Sequence, residues 1–191
     1  NVIVVVLSGE VAVNAEARLS GPASARLARE GGAVVLEAIS DAKAAVSKDF
    51  SSEIWFQTTT KTGGMLIGSG AAKTGSSATV DRQLYMTNSG TLTFGVFAGQ
   101  TRATVAGDKA LNDGTWHHAV VSQNAEGMKL YVDGELVASD PAVTTSRTDS
   151  AYLRIGGDAL AGWPSAPSSN YFKGALDEAA VYPFALNADQ V

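Results

Sequence analysis

Short runs of alternating hydrophobic and polar residues follow one another along this chain, and turn signals separate them about every eight to twelve residues. A periodicity of 3.6 residues, which would indicate amphipathic helices, is hard to find. Regularly spaced turns with short runs between them are typical of β-sandwiches and barrels. The pattern therefore predicts an all-β fold, an antiparallel β-sandwich. The turn signals are Ser20-Gly21-Pro22, Gly31-Gly32, Gly63-Gly64, Asn88-Ser89-Gly90, Asn112-Asp113-Gly114, Asp133-Gly134 and Gly156-Gly157.

Two runs show which side chains share a face of a strand. In residues 52–60, Trp55 and Phe56 point to opposite faces, since neighbouring strand residues alternate. Residues 116–121 alternate in the same way, but both of their faces are mostly apolar or aromatic, which predicts a central strand covered on both sides. Because Trp55 and Trp116 belong to these patterned runs, we assign both to the core.

Shorter signals complete the prediction of elements. Asp133-Gly134 stands between two alternating runs, which is the strongest local indication of a β-hairpin. Leu176–Tyr182 is the last clear strand, and Pro183 ends it because proline has no backbone N–H to donate. Residues 40–47 are the one helix candidate, and Asn187 is predicted to cap a turn or a short helix near the C-terminus.

Composition and charge narrow the classes of function. The chain has 191 residues, 45% of them hydrophobic, which is enough for a sizeable core. No apolar run approaches the roughly 18 residues that span a bilayer, so membrane insertion is not expected. The formal net charge is −5 and the basic residues are scattered, which argues against nucleic acid as a partner. Cysteine is absent, which excludes thiol catalysis and thiolate metal sites.

The length fits a single domain over residues 1–191. Residues 1–30 are rich in Ala and Val and are the hardest to place, since they are either opening strands or the tail of a preceding segment. The chain starts at Asn1 with no initiator Met and no signal-peptide pattern. We therefore expect it to be a fragment of a longer protein with flanking domains.

Four stretches, in this order, resemble one known family. They are Ser52–Thr58 (SEIWFQT), Asp113–Val121 (DGTWHHAVV), Lys129–Val137 (KLYVDGELV) and Gly174–Tyr182 (GALDEAAVY). From about Glu30 onward, their order and spacing resemble the laminin-G-like jelly-roll domains of the concanavalin-A-like lectin and glucanase superfamily. The resemblance implies two curved antiparallel sheets in a jelly roll, usually one module of a secreted or cell-surface protein.

The same resemblance implies a non-catalytic binding or adhesion module, most often for carbohydrate, with a glycan or an extracellular protein as its partner. One alternative is a structural or protein–protein interaction module without a small ligand. Another is a glycoside hydrolase or lyase of the superfamily, which needs two carboxylates across a cleft. The spacing Glu-x-Asp-x-x-Glu of laminarinase-type members is absent, and Glu37 and Asp41 have no further acid between them. We therefore expect no enzymatic activity.

Residues 159–173 are the candidate ligand-binding loop, because about 15 residues is long for a connection in a sandwich. An exposed Trp163 beside a proline would offer a flat platform for the apolar face of a sugar. Tyr171 would extend this platform, and Asp158 or Asn170 would hydrogen-bond sugar hydroxyl groups. The alternative is that Trp163 folds back as the small core of the loop itself. Further candidates for lining a groove are Arg82, Tyr85 and Arg102.

Asp177 and Glu30 are the candidate ligands of a structural calcium ion. By parity Asp177 shares a face with Ala179 and Val181 and should point to the core, where an unpaired carboxylate is costly. Calcium accepts carboxylate and carbonyl oxygens, and the resemblance implies a calcium ion near the last strand. Glu30, just before Gly31-Gly32, is a candidate contributor from the opening strand. The alternative is that Asp177 caps backbone N–H groups at a bulge.

His117 and His118 are the candidates for a metal pair. Adjacent strand residues point to opposite faces, so both cannot bind one ion without a bulge. The chain has no other histidine, and a zinc site would need carboxylates for every remaining ligand. We therefore assign both histidines to structural packing.

Overall fold

The computed structural model describes residues 4–8, 16–20, 23–30 and 33–191, and the side chains from residue 38 onward. Within this part of the chain all regular structure is β-strand. The strands are β1 Val4–Ser8, β2 Glu16–Ser20, β3 Ala23–Glu30, β4 Ala33–Ser40, β5 Phe50–Gln57, β6 Gly64–Gly70, β7 Val80–Met86, β8 Leu92–Ala98, β9 Thr101–Ala106, β10 Trp116–Asn124, β11 Gly127–Val132, β12 Glu135–Asp140, β13 Tyr152–Ile155 and β14 Ala175–Tyr182.

These strands form two antiparallel sheets that pack face to face. Sheet A has the order β12-β11-β10-β5-β14-β1-β2, and sheet B has the order β3-β4-β13-β6-β7-β8-β9. Several neighbours in each sheet are distant in sequence, as where β5 lies between β10 and β14. This arrangement is consistent with a jelly roll, and the predicted antiparallel β-sandwich is confirmed.

The hydrophobic core lies between the two sheets. Ile54 and Phe56 of β5 and Leu130 of β11 contribute from sheet A, and Leu84 and Phe94 contribute from sheet B, all of them fully buried. Alternate residues of each strand point into this layer because side chains in a strand alternate between its faces. The intervening residues of β5 and β10 therefore form the outer face of sheet A.

The hairpin, the central strand and the last strand agree with the sequence pattern. Asp133 and Gly134 join β11 to β12 with φ angles of 52° and 84°, and positive φ at both positions is what a type I′ hairpin turn requires. The predicted central strand is β10, which pairs with both β5 and β11. The prediction that both of its faces are covered is wrong at Trp116, which is 44% exposed. The last predicted strand lies within β14, which ends just before Pro183.

The prediction of a helix at residues 40–47 is wrong. This segment is irregular, and Ala44 exchanges two backbone hydrogen bonds with Ala151, at 3.0 and 3.1 Å, which hold it in an extended pairing. Asn187 caps a turn as predicted, since its Oδ1 accepts a hydrogen bond from the Gln190 backbone N–H. Among the described residues, no helix has the length and apolar character needed to cross a membrane.

Residues 1–30 contain three of the strands. β1 pairs with β14 in sheet A, through Leu7 and Leu176. β3 pairs with β4 in sheet B along its whole length. Whether residues 1–30 are opening strands of this domain or the tail of a preceding segment stays a prediction. The side chain of Glu30 lies outside the described residues.

Candidate ligand-binding site

The loop of residues 157–173 packs against the outer face of sheet B. Its Trp163 is only 3% exposed, and its ring centroid lies 6.4 Å from that of Tyr85 and 5.4 Å from that of Phe97. A Cβ atom on Gly95 would come within 2.3 Å of the Trp163 ring, so the glycine in β8 makes room for the indole. The predicted exposed platform at Trp163 is therefore wrong, and the alternative, in which Trp163 folds back as the small core of the loop, matches the structure.

Asp158 is buried under the same loop. Its carboxylate accepts hydrogen bonds from the backbone N–H and the hydroxyl group of Ser77, each at 2.7 Å, and lies 3.8 Å from Nε of Arg154. Arg154 is itself fully buried and donates hydrogen bonds to the carbonyl groups of Ala72 and Gly75. The predicted contact of Asp158 with a ligand is wrong, because this carboxylate anchors the start of the loop.

Asn170 and Tyr171 hold the other end of the loop. The Asn170 Oδ1 atom accepts a hydrogen bond from the Leu160 backbone N–H at 3.1 Å. Tyr171 is buried against Gly157, where a Cβ atom would come within 2.1 Å of the tyrosine ring. The structure thus brings the four predicted ligand-binding residues together, but as the internal packing of a loop and not as a surface for a ligand.

Arg82, Tyr85 and Arg102 do not line a common groove. Tyr85 is buried, which raises its pKa to about 12, and its hydroxyl group donates a hydrogen bond to the Pro164 carbonyl at 2.5 Å. Arg102 lies over the Trp163 ring, with 5.5 Å between its guanidinium carbon and the ring centroid. Arg82 instead points between the sheets, where it lies over a core phenylalanine. The predicted groove is therefore wrong.

Asp177 lies at a β-bulge in β14. The register of β14 against β5 shifts between Asp177 and Ala180, and Glu178 has a φ angle of 46°. The Asp177 Oδ1 atom accepts a hydrogen bond from the Glu178 backbone N–H at 2.8 Å. Because the bulge changes the parity of the strand, Asp177 is half-buried opposite Trp55 on the outer face, whereas Ala179 stays in the core. The prediction that Asp177 points to the core is wrong, and the alternative of a capped bulge matches the structure.

A calcium ion at Asp177 and Glu30 stays a prediction. Among the described side chains, no three His, Asp or Glu residues converge where they would hold an ion. Calcium takes six to eight oxygen ligands, and one oxygen of Asp177 already accepts a hydrogen bond within the bulge.

The outer face of sheet A carries two exposed tryptophans. Trp55 in β5 is 38% exposed and Trp116 in β10 is 44% exposed, so the assignment of both to the core is wrong. Trp116 pairs with Gln57, and Asp177 pairs with Trp55. The two indoles are therefore diagonal neighbours, a relation that places side chains roughly 7–8 Å apart. We refer to the surface of Trp55, Trp116, Gln57 and Asp177 as the tryptophan face.

A stacked and hydrogen-bonded group supports Trp55. The His118 ring lies parallel to the indole, with 4.8 Å between ring centroids and 16° between planes. His118 Nε2 lies 3.3 Å from one carboxylate oxygen of Glu53, and the Tyr182 hydroxyl group donates to the other at 2.5 Å. This hydrogen bond to Glu53 raises the pKa of Tyr182 to about 12. The indole is thereby held in one plane, which lowers the entropy lost on binding a flat ligand.

The C-terminal segment covers another part of the outer face of sheet A. Leu186 packs on Val120 and Tyr131 and forms a small buried cluster with them. The Leu186 backbone N–H donates a hydrogen bond to the Ser51 hydroxyl group at 2.7 Å. The tryptophan face lies at the other end of β5 and β10, where the two indoles are exposed.

His117 points to the opposite side of β10 from His118, as expected of adjacent residues. Its Nδ1 lies 2.8 Å from Asp133 and its Nε2 lies 3.2 Å from Asp113. Hydrogen bonds from Thr115 lower the pKa of Asp113 to about 2. Partial burial acts to raise the pKa of Asp133, but hydrogen bonds from His117 and the His118 backbone outweigh it and lower that pKa. This network joins two turns at one end of the sandwich, which agrees with a packing role for His117.

The signal for the tryptophan face was present in the sequence. In residues 52–60, Trp55 alternates with core positions and shares its face with Glu53 and Gln57. Two polar neighbours of the same parity indicate an outer face. Position within a patterned run suggested burial, although tryptophan is large and is rarely buried completely.

Comparison with known proteins gives a family for this chain. A laminin-G family model, described as the concanavalin A-like lectin/glucanases superfamily, matches residues 30–191. Among curated proteins, none matches the chain. Of the solved structures, the native heptameric SAP-like pentraxin from Limulus polyphemus is 13% identical, with a TM-score of 0.62 over 99% of this chain and 79% of the pentraxin chain.

Two further solved structures share the fold and contain bound sugars. The CBM40 of the Ruminococcus gnavus IT-sialidase, bound to α2,3-sialyllactose, is 21% identical, with a TM-score of 0.58 over 75% of this chain and 80% of the other. Domain 4 of AbnA, a GH43 extracellular arabinanase from Geobacillus stearothermophilus, in complex with arabinotriose, is 19% identical, with a TM-score of 0.58 over 87% of this chain and 79% of the other. At these identities the likeness concerns the fold alone. The family model matches most of the chain, and the structure has two antiparallel sheets. This protein therefore belongs to the laminin-G-like domains of the concanavalin A-like lectin/glucanases superfamily.

Proposed function

We propose that this domain is a non-catalytic carbohydrate-binding module that holds a neutral glycan on the tryptophan face, at the cell surface or outside the cell. The observation that carries the proposal is the pair of exposed indoles on one face of sheet A, Trp55 and Trp116. The arabinanase whose domain 4 shares the fold is an extracellular enzyme, which supports the location. The sugars bound to two similar structures support carbohydrate as the ligand class.

The chemistry of the tryptophan face suits a sugar ring. An indole presents a large flat apolar surface, and its electron-rich face attracts the polarised C–H groups of a pyranose or furanose. Gln57 and Asp177 lie beside the indoles on the neighbouring strand positions, where their oxygens would accept hydrogen bonds from hydroxyl groups. Exposed apolar surface on a strand is otherwise unfavourable in water, so a bound ligand would stabilise it.

Charge favours a neutral sugar over an acidic one. The strands β5, β10 and β14, which form this part of sheet A, contain no lysine or arginine, but they contain Glu53, Asp177 and Glu178. A carboxylate on the ligand, as in sialic acid, would meet the carboxylates of these strands, and like charges at short range repel. The expected ligands are therefore neutral oligosaccharides.

The state of Glu53 supports a binding role over hydrolysis. Glycosidases need one carboxyl group that donates a proton to the leaving oxygen and a second that acts as nucleophile or base. Both oxygens of Glu53 are engaged, one close to His118 and one accepting from Tyr182. A carboxylate that accepts a hydrogen bond on one oxygen and has a histidine beside the other is poorly placed to donate a proton to a sugar.

The test compares glycan-array binding and calorimetric titration of the native domain with three variants, Trp55→Ala, Trp116→Ala and Leu136→Ala. Leu136 is 52% exposed on the edge strand β12 and serves as the matched control. We expect the native domain to bind neutral oligosaccharides. Either tryptophan substitution should weaken this binding by about tenfold or more, because exposed aromatic anchors dominate such sites, and Leu136→Ala should leave it unchanged.

Three results would contradict the proposal. The absence of any glycan binding would favour a protein–protein interaction module without a small ligand. Glycan binding that survives loss of both indoles would place the site elsewhere on the domain. A preference for sialylated over neutral glycans would contradict the charge argument.

A further inference from the structure

A cavity of about 370 Å³ lies between the two sheets, on the opposite side of sheet A from the tryptophan face. Its volume is within the range of sites for small molecules, roughly 300–1,000 Å³. Phe50 and Ser52 of β5 line it from sheet A, and Leu153 of β13 lines it from sheet B. Val181 is also part of its lining and is 37% exposed, so this valine marks the mouth of the cavity.

The wall of the cavity is mostly apolar, and its charged side chains are cations. Arg82 and Lys43 line it, whereas the described lining residues include no Asp or Glu. The Arg82 guanidinium lies over the Phe50 ring, 3.8 Å from the ring centroid. Lys43 is exposed, with its Nζ atom 5.7 Å from the centre of the Tyr152 ring. A molecule inside the cavity would therefore meet apolar surface together with positive charge.

Arg82 is a buried cation whose hydrogen-bond partners are neutral. Its Nη2 atom donates to the carbonyl groups of Ser47 and Arg147, at 2.6 and 3.1 Å, and to the Ser146 hydroxyl group at 3.1 Å. Its Nε atom has no acceptor among the described residues. The adjacent acid, Asp81, accepts hydrogen bonds from two backbone N–H groups, one of them that of Arg147. Burial lowers the pKa of Arg82 to about 10, which leaves it protonated at neutral pH.

The charge of Asp81 acts to raise the pKa of Arg82, but the effect of burial is larger. A buried cation that is hydrogen-bonded only to neutral groups is costly, and an anion placed near it recovers part of the cost. We propose that this cavity binds an amphipathic small molecule that has a flexible apolar body and one carboxylate, with the carboxylate near Arg82 and the apolar body against Phe50 and Leu153. The site is separate from the tryptophan face, and neither proposal rests on the other.

The test uses three probes with the same ten-carbon chain and different head groups: decanoate, decanol and decyltrimethylammonium, each below its micelle concentration. Binding to the native domain is measured by calorimetric titration. We expect decanoate to bind about tenfold or more tightly than decanol, because a charge-assisted hydrogen bond contributes more than a neutral one. The ammonium probe should not bind detectably.

Two tryptophan substitutions locate the site without altering Arg82. Val181→Trp places a large side chain at the mouth of the cavity and should abolish decanoate binding. Val137→Trp is the matched control, because Val137 is an exposed valine on β12, outside the lining of this cavity. Arg82→Gln, where it folds, should reduce the affinity for decanoate to that for decanol.

Each of the following three outcomes would overturn the inference. If decanoate does not bind the native domain, the cavity is not a site for such ligands. If Val181→Trp binds decanoate as well as the native domain does, the ligand lies elsewhere. If decanol and decanoate bind equally tightly, the proposal that the ligand carries an anionic head group is wrong.

Discussion

Trp163 is enclosed by Gly95, Tyr85 and Phe97, whereas Trp55 and Trp116 stand on an open face of a sheet. The enclosed indole removes apolar surface from water and makes close contacts on every side, both of which stabilise the folded state. An exposed indole contributes much less to stability and leaves its surface for a ligand. The same residue type thus serves packing in one place and, in our proposal, recognition in the other.

This difference predicts unequal losses of stability from two alanine substitutions. Trp163→Ala should lower the free energy of unfolding by about 3–5 kcal/mol, because it leaves a cavity under the loop. Trp116→Ala should change it by no more than about 0.5 kcal/mol, as is usual for surface positions. Urea unfolding followed by circular dichroism measures both values. Equal losses in the two variants would show that the burial difference does not govern stability here.

Asp113 predicts a pH dependence of stability. Hydrogen bonds from the backbone and the hydroxyl group of Thr115, with a smaller effect of His117, lower its pKa in the folded state to about 2. A carboxyl group whose folded pKa lies below its unfolded value stabilises the fold above the unfolded pKa of about 3.9, and this contribution is lost as the pH falls through about 2. In Asp113→Asn, the melting temperature should therefore fall less steeply between about pH 4 and pH 2.

The control for this experiment is Asp189→Asn, since Asp189 is exposed in the C-terminal turn, far along the chain from this network. The control should keep the native slope of melting temperature against pH. If Asp113→Asn also keeps the native slope, the hydrogen bonds from Thr115 do not stabilise the charged carboxylate.

At the scale of elements, strands and hairpins could be predicted from neighbouring residues, whereas the position of a long loop depends on tertiary contacts. Alternation predicted β5 and β10, and the Asp133-Gly134 pair predicted the hairpin, because strand parity and turn geometry depend on neighbouring residues. The position of loop 157–173 depends instead on Gly95, which is distant in sequence and makes room for Trp163. No local pattern reports such a contact, so the sequence left open whether Trp163 is exposed or folds back under the loop.

The bulge in β14 shows how one local feature changes the face of the sheet on which a side chain lies. Parity predicted that Asp177 points to the core, but the register shift before Ala180 and the positive φ of Glu178 reverse the alternation. A bulge adds one residue to one strand only, and the sequence of β14 gives little sign of where that residue lies. The candidate calcium ligand therefore lies on the outer face, beside Trp55.

The hydrogen bond of Asp177 predicts a stability loss that does not depend on metal. Asp177→Ala should lower the free energy of unfolding by about 1 kcal/mol, because the Glu178 N–H loses its acceptor. Asp177→Asn should retain most of this stability, since its amide oxygen also accepts. Thermal melts with calcium and with a chelator test both variants. The loss from the bulge should be the same in both media, and an additional loss seen only with calcium would support the predicted ion.

At the scale of the molecule, the two sheets use their outer faces differently. Loop 157–173 packs on the outer face of sheet B, and the C-terminal segment covers part of the outer face of sheet A. The resemblance predicted two sheets, but turn spacing alone does not give their strand order, because β5 pairs with partners far along the chain. The position of the tryptophan face follows from that order, since it brings Trp116 beside Gln57.

The extent of the folding unit is the last property to test at this scale, because residues 1–30 have two interpretations. If they are opening strands, a variant that lacks residues 1–32 leaves β14 without β1 and β4 without β3. Two unpaired strand edges would then face water, and we expect the melting temperature to fall by about 10 °C or more. A full-length control with residues 4–8 replaced by glycine and serine should fall by a smaller amount, since only β1 is lost. If the shorter variant melts at the native temperature, residues 1–30 belong to a preceding segment, and the single domain over residues 1–191 is wrong.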